Sequence, residues 1–210
     1  FACDGNDRNG GRISIATELL SHSPTPGKIA GSANYLFYQN RYLTANQINS
    51  IDLSGATSLI QAFSAIANPQ NLSASDTLTL DLSSCTTIAQ GFESFGGVDT
   101  AVGGPGKIVF ENSGNVDNWG SCFYNFQPYT PGAQWGSWAL NLTDIEIDLS
   151  AAGSVWQMFT NGVPNLVNLT INGSFGGDST EQSMVLDLST TSVTYASITT
   201  MLTNIEANNI

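Results

Sequence analysis

Apolar and polar residues alternate over several short stretches of this chain. Leu78-x-Leu80-x-Leu82, Ile145-x-Ile147-x-Leu149 and Met184-x-Leu186-x-Leu188 each put three apolar side chains on one face, and Ile48-x-x-Ile51-x-Leu53 is a looser version. A period of two marks a strand with one buried face. Shorter copies, Ile108-x-Phe110 and Leu169-x-Ile171, fall between them. Each full copy runs into Asp-Leu-Ser, at 52–54, 81–83, 148–150 and 187–189, and Glu111 and Asn172 take the Asp place in the shorter copies. Eleven residues after Asp52, Asp81 and Asp148 come Phe63, Phe92 and Phe159, and Phe123 lies twelve after Glu111. An apolar residue stands four before each ring (Leu59, Ile88, Trp119, Val155), and Gln stands two before three of them (Gln61, Gln90, Gln157). An i, i+4 apolar pair is one turn of helix.

Each unit therefore predicts a strand, a sharp turn, a short helical or 3-10 segment, and a return of variable length. Neither half can bury its apolar face alone, so successive units must stack. The expected fold is an α/β solenoid, an irregular, right-handed, leucine-rich-repeat-like stack with a parallel sheet, over residues 47–210. Residues 1–46 do not fit the repeat. Their Gly/Asn-rich start, the turn-rich Ser23-Pro24-Thr25-Pro26-Gly27 and the aromatic Tyr35-Leu36-Phe37-Tyr38 make them the expected N-terminal cap, forming one structural unit with the solenoid. The last apolar turn, Ile198–Ile205, is expected to close the other end.

The fourth unit, Ile147-Asp148-Leu149-Ser150, Val155-Trp156-Gln157-Met158-Phe159 and Pro164-Asn165-Leu166, resembles the BspA-like surface leucine-rich repeats, which also occur in Mycoplasma-type lipoproteins. The resemblance covers about residues 47–205. It implies an extracellular, cell-surface or virion-surface protein, often adhesive, without catalytic residues in the repeats. The chain departs from that pattern in its uneven unit lengths and in lacking Leu-rich returns.

Composition sharpens the picture. Of 210 residues, 41% are apolar, enough for a sizeable core, but only 10% are charged, against roughly 25% in ordinary soluble domains. Asn, Ser, Thr, Gly and Gln fill the surface, as in extracellular adhesins and fibres. The net charge is −12, and after residue 46 Lys107 is the single basic residue against fourteen acids. Such a surface repels a phosphate backbone and anionic lipid, so nucleic acid and acidic membrane are disfavoured as partners. No apolar run is long enough for a transmembrane helix.

Two groups of residues could carry chemistry. If Leu80 and Leu82 point inward, Asp81 points outward, and the same register exposes Asp52, Asp148 and Asp187. Parallel stacking would set neighbouring carboxylates about 4.8 Å apart, where like charges repel. Either each Asp accepts bonds from nearby hydroxyls and turn amides, which is the favoured structural role, or the column binds a divalent cation, calcium being the cofactor such hard oxygens would take. The second group is the longest insertion, between Phe123 and Ile145, where Tyr124, Tyr129, Trp135 and Trp138 stand among Gly and Pro. Rings in a loop contact ligands, including sugars by stacking; the alternative is that they pack back on the solenoid as core.

Other features point away from catalysis. Cys3, Cys85 and Cys122 are odd in number and lack CxxC spacing, so they predict neither a disulfide framework nor a zinc site. Cys85 and Cys122 read as buried thiols, and Cys3 is a candidate for acylation and a lipid anchor. His22, the one histidine, has no nucleophile motif around it. Matches to the Asn-x-Ser/Thr acceptor pattern, such as Asn141-Leu-Thr, are as frequent as chance in so polar a chain. The expectation is a non-enzymatic surface binding or adhesion protein that contacts a protein or glycan of a host or neighbouring cell. The alternative is a structural subunit of a surface or virion fibre or layer, hence a homo-oligomer; a polysaccharide-acting enzyme is remote.

Overall fold

The computed structural model describes residues 28–38, 43–64, 66, 71–93, 95, 103–124, 140–159, 165–174 and 181–187. They form a parallel β-solenoid of about four turns. In chain order the elements are β1 (Ala30–Ser32), α1 (Ala45–Asn49), β2 (Gly55–Ser58), β3 (Thr77–Asp81), β4 (Lys107–Glu111), a 3-10 turn (Ser113–Asn115), β5 (Asp144–Asp148), β6 (Asn168–Ser174) and β7 (Glu181–Asp187).

Two hydrogen-bonded ladders hold the coils together. In the first, β3, β4, β5 and β6 pair in parallel, with Leu78 beside Ile108, Ile108 beside Ile145 and Ile145 beside Leu169. The alternating residues of these strands are buried on one face, as the period of two requires: Leu78, Leu80, Ile108, Phe110, Ile145, Ile147, Leu169 and Ile171. The second ladder runs through Ser32, Ser58, Thr87, Asn118 and Ser154. It continues past those bridges, because alternate amides in each coil donate to carbonyls of the next. Phe63 N bonds Gly91 O at 2.8 Å, Phe92 N bonds Cys122 O at 2.8 Å, and Phe123 N bonds Met158 O at 2.7 Å. Residues 28–38 already belong to this ladder, since Ala33 N donates to Ser58 O and Phe37 N to Ala62 O, both at 2.8 Å.

Between the ladders lies a column of rings. Phe63, Phe92, Phe123 and Phe159 stack at centroid distances of 5.1, 5.3 and 5.5 Å with interplanar angles of 12°, 22° and 8°. Phe110 meets Phe92 and Trp119 edge-on. Each coil thus contributes one ring, and the eleven-residue spacing runs from the corner Asp to the ring within one coil. Phe123 arrives one residue late because Asn112, at φ 52°, and the 3-10 turn that follows take up an extra residue before Val116 rejoins the frame.

Three expectations are corrected. The segment before each Phe is not helical: Gln61, Gln90, Ser121 and Gln157 lie at φ 53–57°, which ends any right-handed helix. Two successive turns, such as Ala62 N to Leu59 O and Ser64 N to Gln61 O, bring Leu59 and Phe63 to one side instead. The apolar pair is buried as expected, by turns rather than a helix, so the α/β label fits loosely. Second, the Ile48-x-x-Ile51-x-Leu53 stretch is not a strand. Thr44 and Gln47 form a capping box that starts α1, with Ala45 and Ile48 buried, and capping-box chemistry overrides a loose alternation. Asn49 then stands in for a strand: its Oδ1 accepts from Thr79 N and its Nδ2 donates to Thr77 O, both at 2.9 Å, along the edge of β3. Third, the copy ending at Asp187 does not extend the parallel stack. β7 runs antiparallel to β6, pairing Asp187 with Asn168, because a hairpin satisfies the same alternation without a full turn of solenoid. The expected closing turn at Ile198–Ile205 lies outside the described residues.

Phe92 touches rings on both sides and is fully buried. Phe92→Ala should therefore lower stability by about 3–5 kcal/mol, seen in urea unfolding as a lower midpoint with an unchanged slope.

Candidate functional site

Asp-Leu-Ser is a local turn device. In each described copy the Asp Oδ1 accepts both the amide and the hydroxyl of the Ser two residues on. The distances are 3.0 and 2.6 Å from Ser54 to Asp52, and 2.8 and 2.6 Å from Ser150 to Asp148. Ser83 donates to Asp81 in the same way, its amide at 3.0 Å. Asn112 of the next coil adds its amide to Asp81 at 3.1 Å. A second turn follows at once: Cys85 N bonds Leu82 O and Ala152 N bonds Leu149 O. Asp81 and Asp148 thus cap the ends of β3 and β5, and in all three copies the Asp starts the corner that leads to the second ladder.

The column is less continuous than a strict repeat predicts. Asp81 stands beside Glu111 and Asp148 beside Asn172 in strand register. The Ser113 hydroxyl accepts from Asp148 N at 2.8 Å and donates to its carbonyl at 3.3 Å, so it sits between the β4 and β5 ends. The backbone of Asp187 is at the opposite end of the sheet, paired with Asn168, about 13 Å from the Asn172 level at 3.3 Å per residue. The structure therefore brings Asp52, Asp81 and Asp148 to equivalent corners and separates Asp187 from them. Among the described residues no group of three or more His, Cys, Asp or Glu side chains is placed to hold a metal ion.

Lys28 offsets the charge at the first corners. Hydrogen bonds from the Ser54 hydroxyl and amide hold Asp52 below its ordinary pKa, with help from the Lys28 ammonium. Burial alone would raise Asp81, but the bonds from Ser83 and Asn112, together with Lys28, bring it below the ordinary value. Further along the sheet, Lys107 pairs with Glu146 at 3.1 Å.

Of the aromatic insertion, Tyr124 is half-buried directly after Phe123, with its amide bonded to Ser121 O at 3.0 Å. Tyr129, Trp135 and Trp138 lie outside the described residues, as do Cys3 and His22. Cys85 and Cys122 are buried free thiols. Burial pushes Cys85 up to about 11, and Cys122 is raised further by the same cause. Neither thiol is poised as a thiolate nucleophile. Sequence reasoning missed two exposed rings, Tyr35 and Trp156. Trp156 follows the buried Val155 within the turn, and only the turn geometry, not the spacing, shows that it faces outward.

What fold and corner define is a polar β-solenoid whose Asp-Leu-Ser carboxylates Asp52, Asp81 and Asp148 are tied into their own turns. No protein-family model matches the chain, and no curated protein or solved structure matches it either. Among the described residues no helix is long and apolar enough to cross a membrane.

Two predictions follow from the corner chemistry. Asp52 and Asp81 have folded pKa values below their unfolded ones, so their contribution is present above about pH 4 and is lost as pH falls below it. Asp81→Ala should cost about 1 kcal/mol at pH 7 and flatten that acid limb, measured as melting temperature against pH. Calcium and a chelator should leave the melting temperature of the wild-type chain unchanged; a rise of several degrees with calcium would instead make the corners a metal site.

Proposed function

We propose that this protein is a non-enzymatic binding scaffold of a cell or virion surface, displaying its inter-coil connections to a protein or glycan partner. The carrying observation is that length varies most between the Phe turn and the strand that follows it. From the strand to the Phe turn the coils keep step: Leu78 to Ile88 and Ile145 to Val155 span ten residues, and Ile108 to Trp119 eleven. From the Phe turn to the next buried Leu they do not, running nine residues from Phe63 to Leu72, nineteen from Phe123 to Leu142 and seven from Phe159 to Leu166.

These connections all leave from the stacked Phe column. They rejoin at stacked positions, since Thr143 N bonds Gly106 O at 3.0 Å and Val167 N bonds Thr143 O at 2.8 Å. Variable connections on a constant frame are the usual arrangement of a recognition surface. The resemblance to BspA-like surface repeats and the polar, weakly charged composition support the same reading.

The longest connection holds Tyr124, Tyr129, Trp135 and Trp138, the residues assigned here to ligand contact. An oligosaccharide array and a panel of cell-surface proteins test it. Trp135→Ala and Trp138→Ala should abolish the binding seen with wild type while the melting temperature holds. A melting temperature that collapses in both variants would make these rings core and overturn the assignment.

A further inference from the structure

Glu93 is the one buried acidic side chain among the described residues, 4% exposed. It follows Phe92, the middle ring of the column, and opens the connection that returns at Gly103. Its Oε2 accepts from Gln61 Nε2 of the preceding coil at 2.7 Å. Its carbonyl accepts from the Ser64 hydroxyl at 2.8 Å, and its amide donates to Gln90 O at 3.0 Å. Its second oxygen, Oε1, is buried and has no hydrogen-bond partner.

Among the described residues, those that hydrogen-bond Glu93 are neutral. Gln61 and Ser64 face Glu93 from the preceding coil, and Gln90 and Phe92 belong to its own. Phe95 packs edge-on to Phe92 at 4.8 Å. The following coil places Tyr124 at the equivalent position, one residue after its Phe. The described cations are engaged elsewhere, Lys28 at Asp52 and Asp81 and Lys107 at Glu146. A carboxylate with one orphan oxygen and no counter-ion among the described residues is disfavoured in such a place. The Gln61 bond lowers the Glu93 pKa, but burial outweighs it and the value is raised.

We propose that Glu93 is a proton-operated latch between adjacent coils: protonated, it clamps the 61–64 turn to the 90–93 turn, and ionised, it leaves that position and loosens the contact between those two turns. The device is distinct from ligand contact and does not depend on it. The sign follows from linkage. A group whose folded pKa exceeds its unfolded value gives stability that is fully present below the unfolded value, near pH 4.3, and lost as pH rises through the folded one. This limb is opposite in direction to that of Asp52 and Asp81.

The test is Glu93→Gln in the full chain, which keeps the shape and the Gln61 contact while removing the charge. The variant should melt about 2–6 °C above wild type at pH 7.5, and the two should converge near pH 4.5. Carbon-13 NMR of the Glu93 carboxyl in wild type should give a titration midpoint above the ordinary glutamate range. Identical melting curves at all pH values, a less stable variant at pH 7.5, or a midpoint at or below the ordinary value would overturn the proposal.

Discussion

The structure depends on one backbone constraint: the left-handed residue two positions before each Phe. Tyr35, Gln61, Gln90, Ser121 and Gln157 all occupy it. A non-glycine residue there costs about 1–2 kcal/mol. The next coil helps to offset it, since the amides of Gln90 and Ser121 bond Gly120 O and Trp156 O at 3.0 and 2.7 Å. The same bend sets each Phe ring above the last. Strain, second ladder and ring column are therefore one interaction seen from three sides, and an isolated unit would have no reason to keep the shape.

That constraint explains how a chain with so few charges and so many small polar residues folds. A solenoid core is only one coil thick, so each unit must close its own corners with short side chains. Asp-Leu-Ser does so twice over, fixing the strand end through the carboxylate and starting a turn through the Leu carbonyl. The acids that look like a binding column are then largely satisfied within their own corners. Glu93, outside that column, keeps an unpartnered oxygen, and it lies where the frame hands over to the variable connections.

Much of the frame was legible because it repeats. The alternation located β3, β4, β5 and β6, and the eleven-residue spacing located Phe63, Phe92 and Phe159, because both patterns are copies of one coil. Three things were not legible. The left-handed Gln residues were hidden, since Gln is a good helix former and nothing in its identity announces φ near 55°. α1 was hidden behind Ile48 and Ile51, whose spacing suits a strand loosely and a helix better. The reversal at β7 was hidden because period two is the same in parallel and antiparallel strands. Of the candidate site, the equivalence of Asp52, Asp81 and Asp148 was readable, whereas the exposure of Trp156 and the orphan oxygen of Glu93 arise from stacking alone.

Native-state hydrogen exchange across the second ladder tests the central claim most directly. If neighbouring coils hold the left-handed turns, the amides of Gln90, Phe92, Ser121 and Phe123 should exchange only through global unfolding, with free energies equal to that from urea denaturation. Exchange of Gln90 and Ser121 through local opening, several kcal/mol below the global value, would contradict the account, because the turns would then hold their shape independently of the stack.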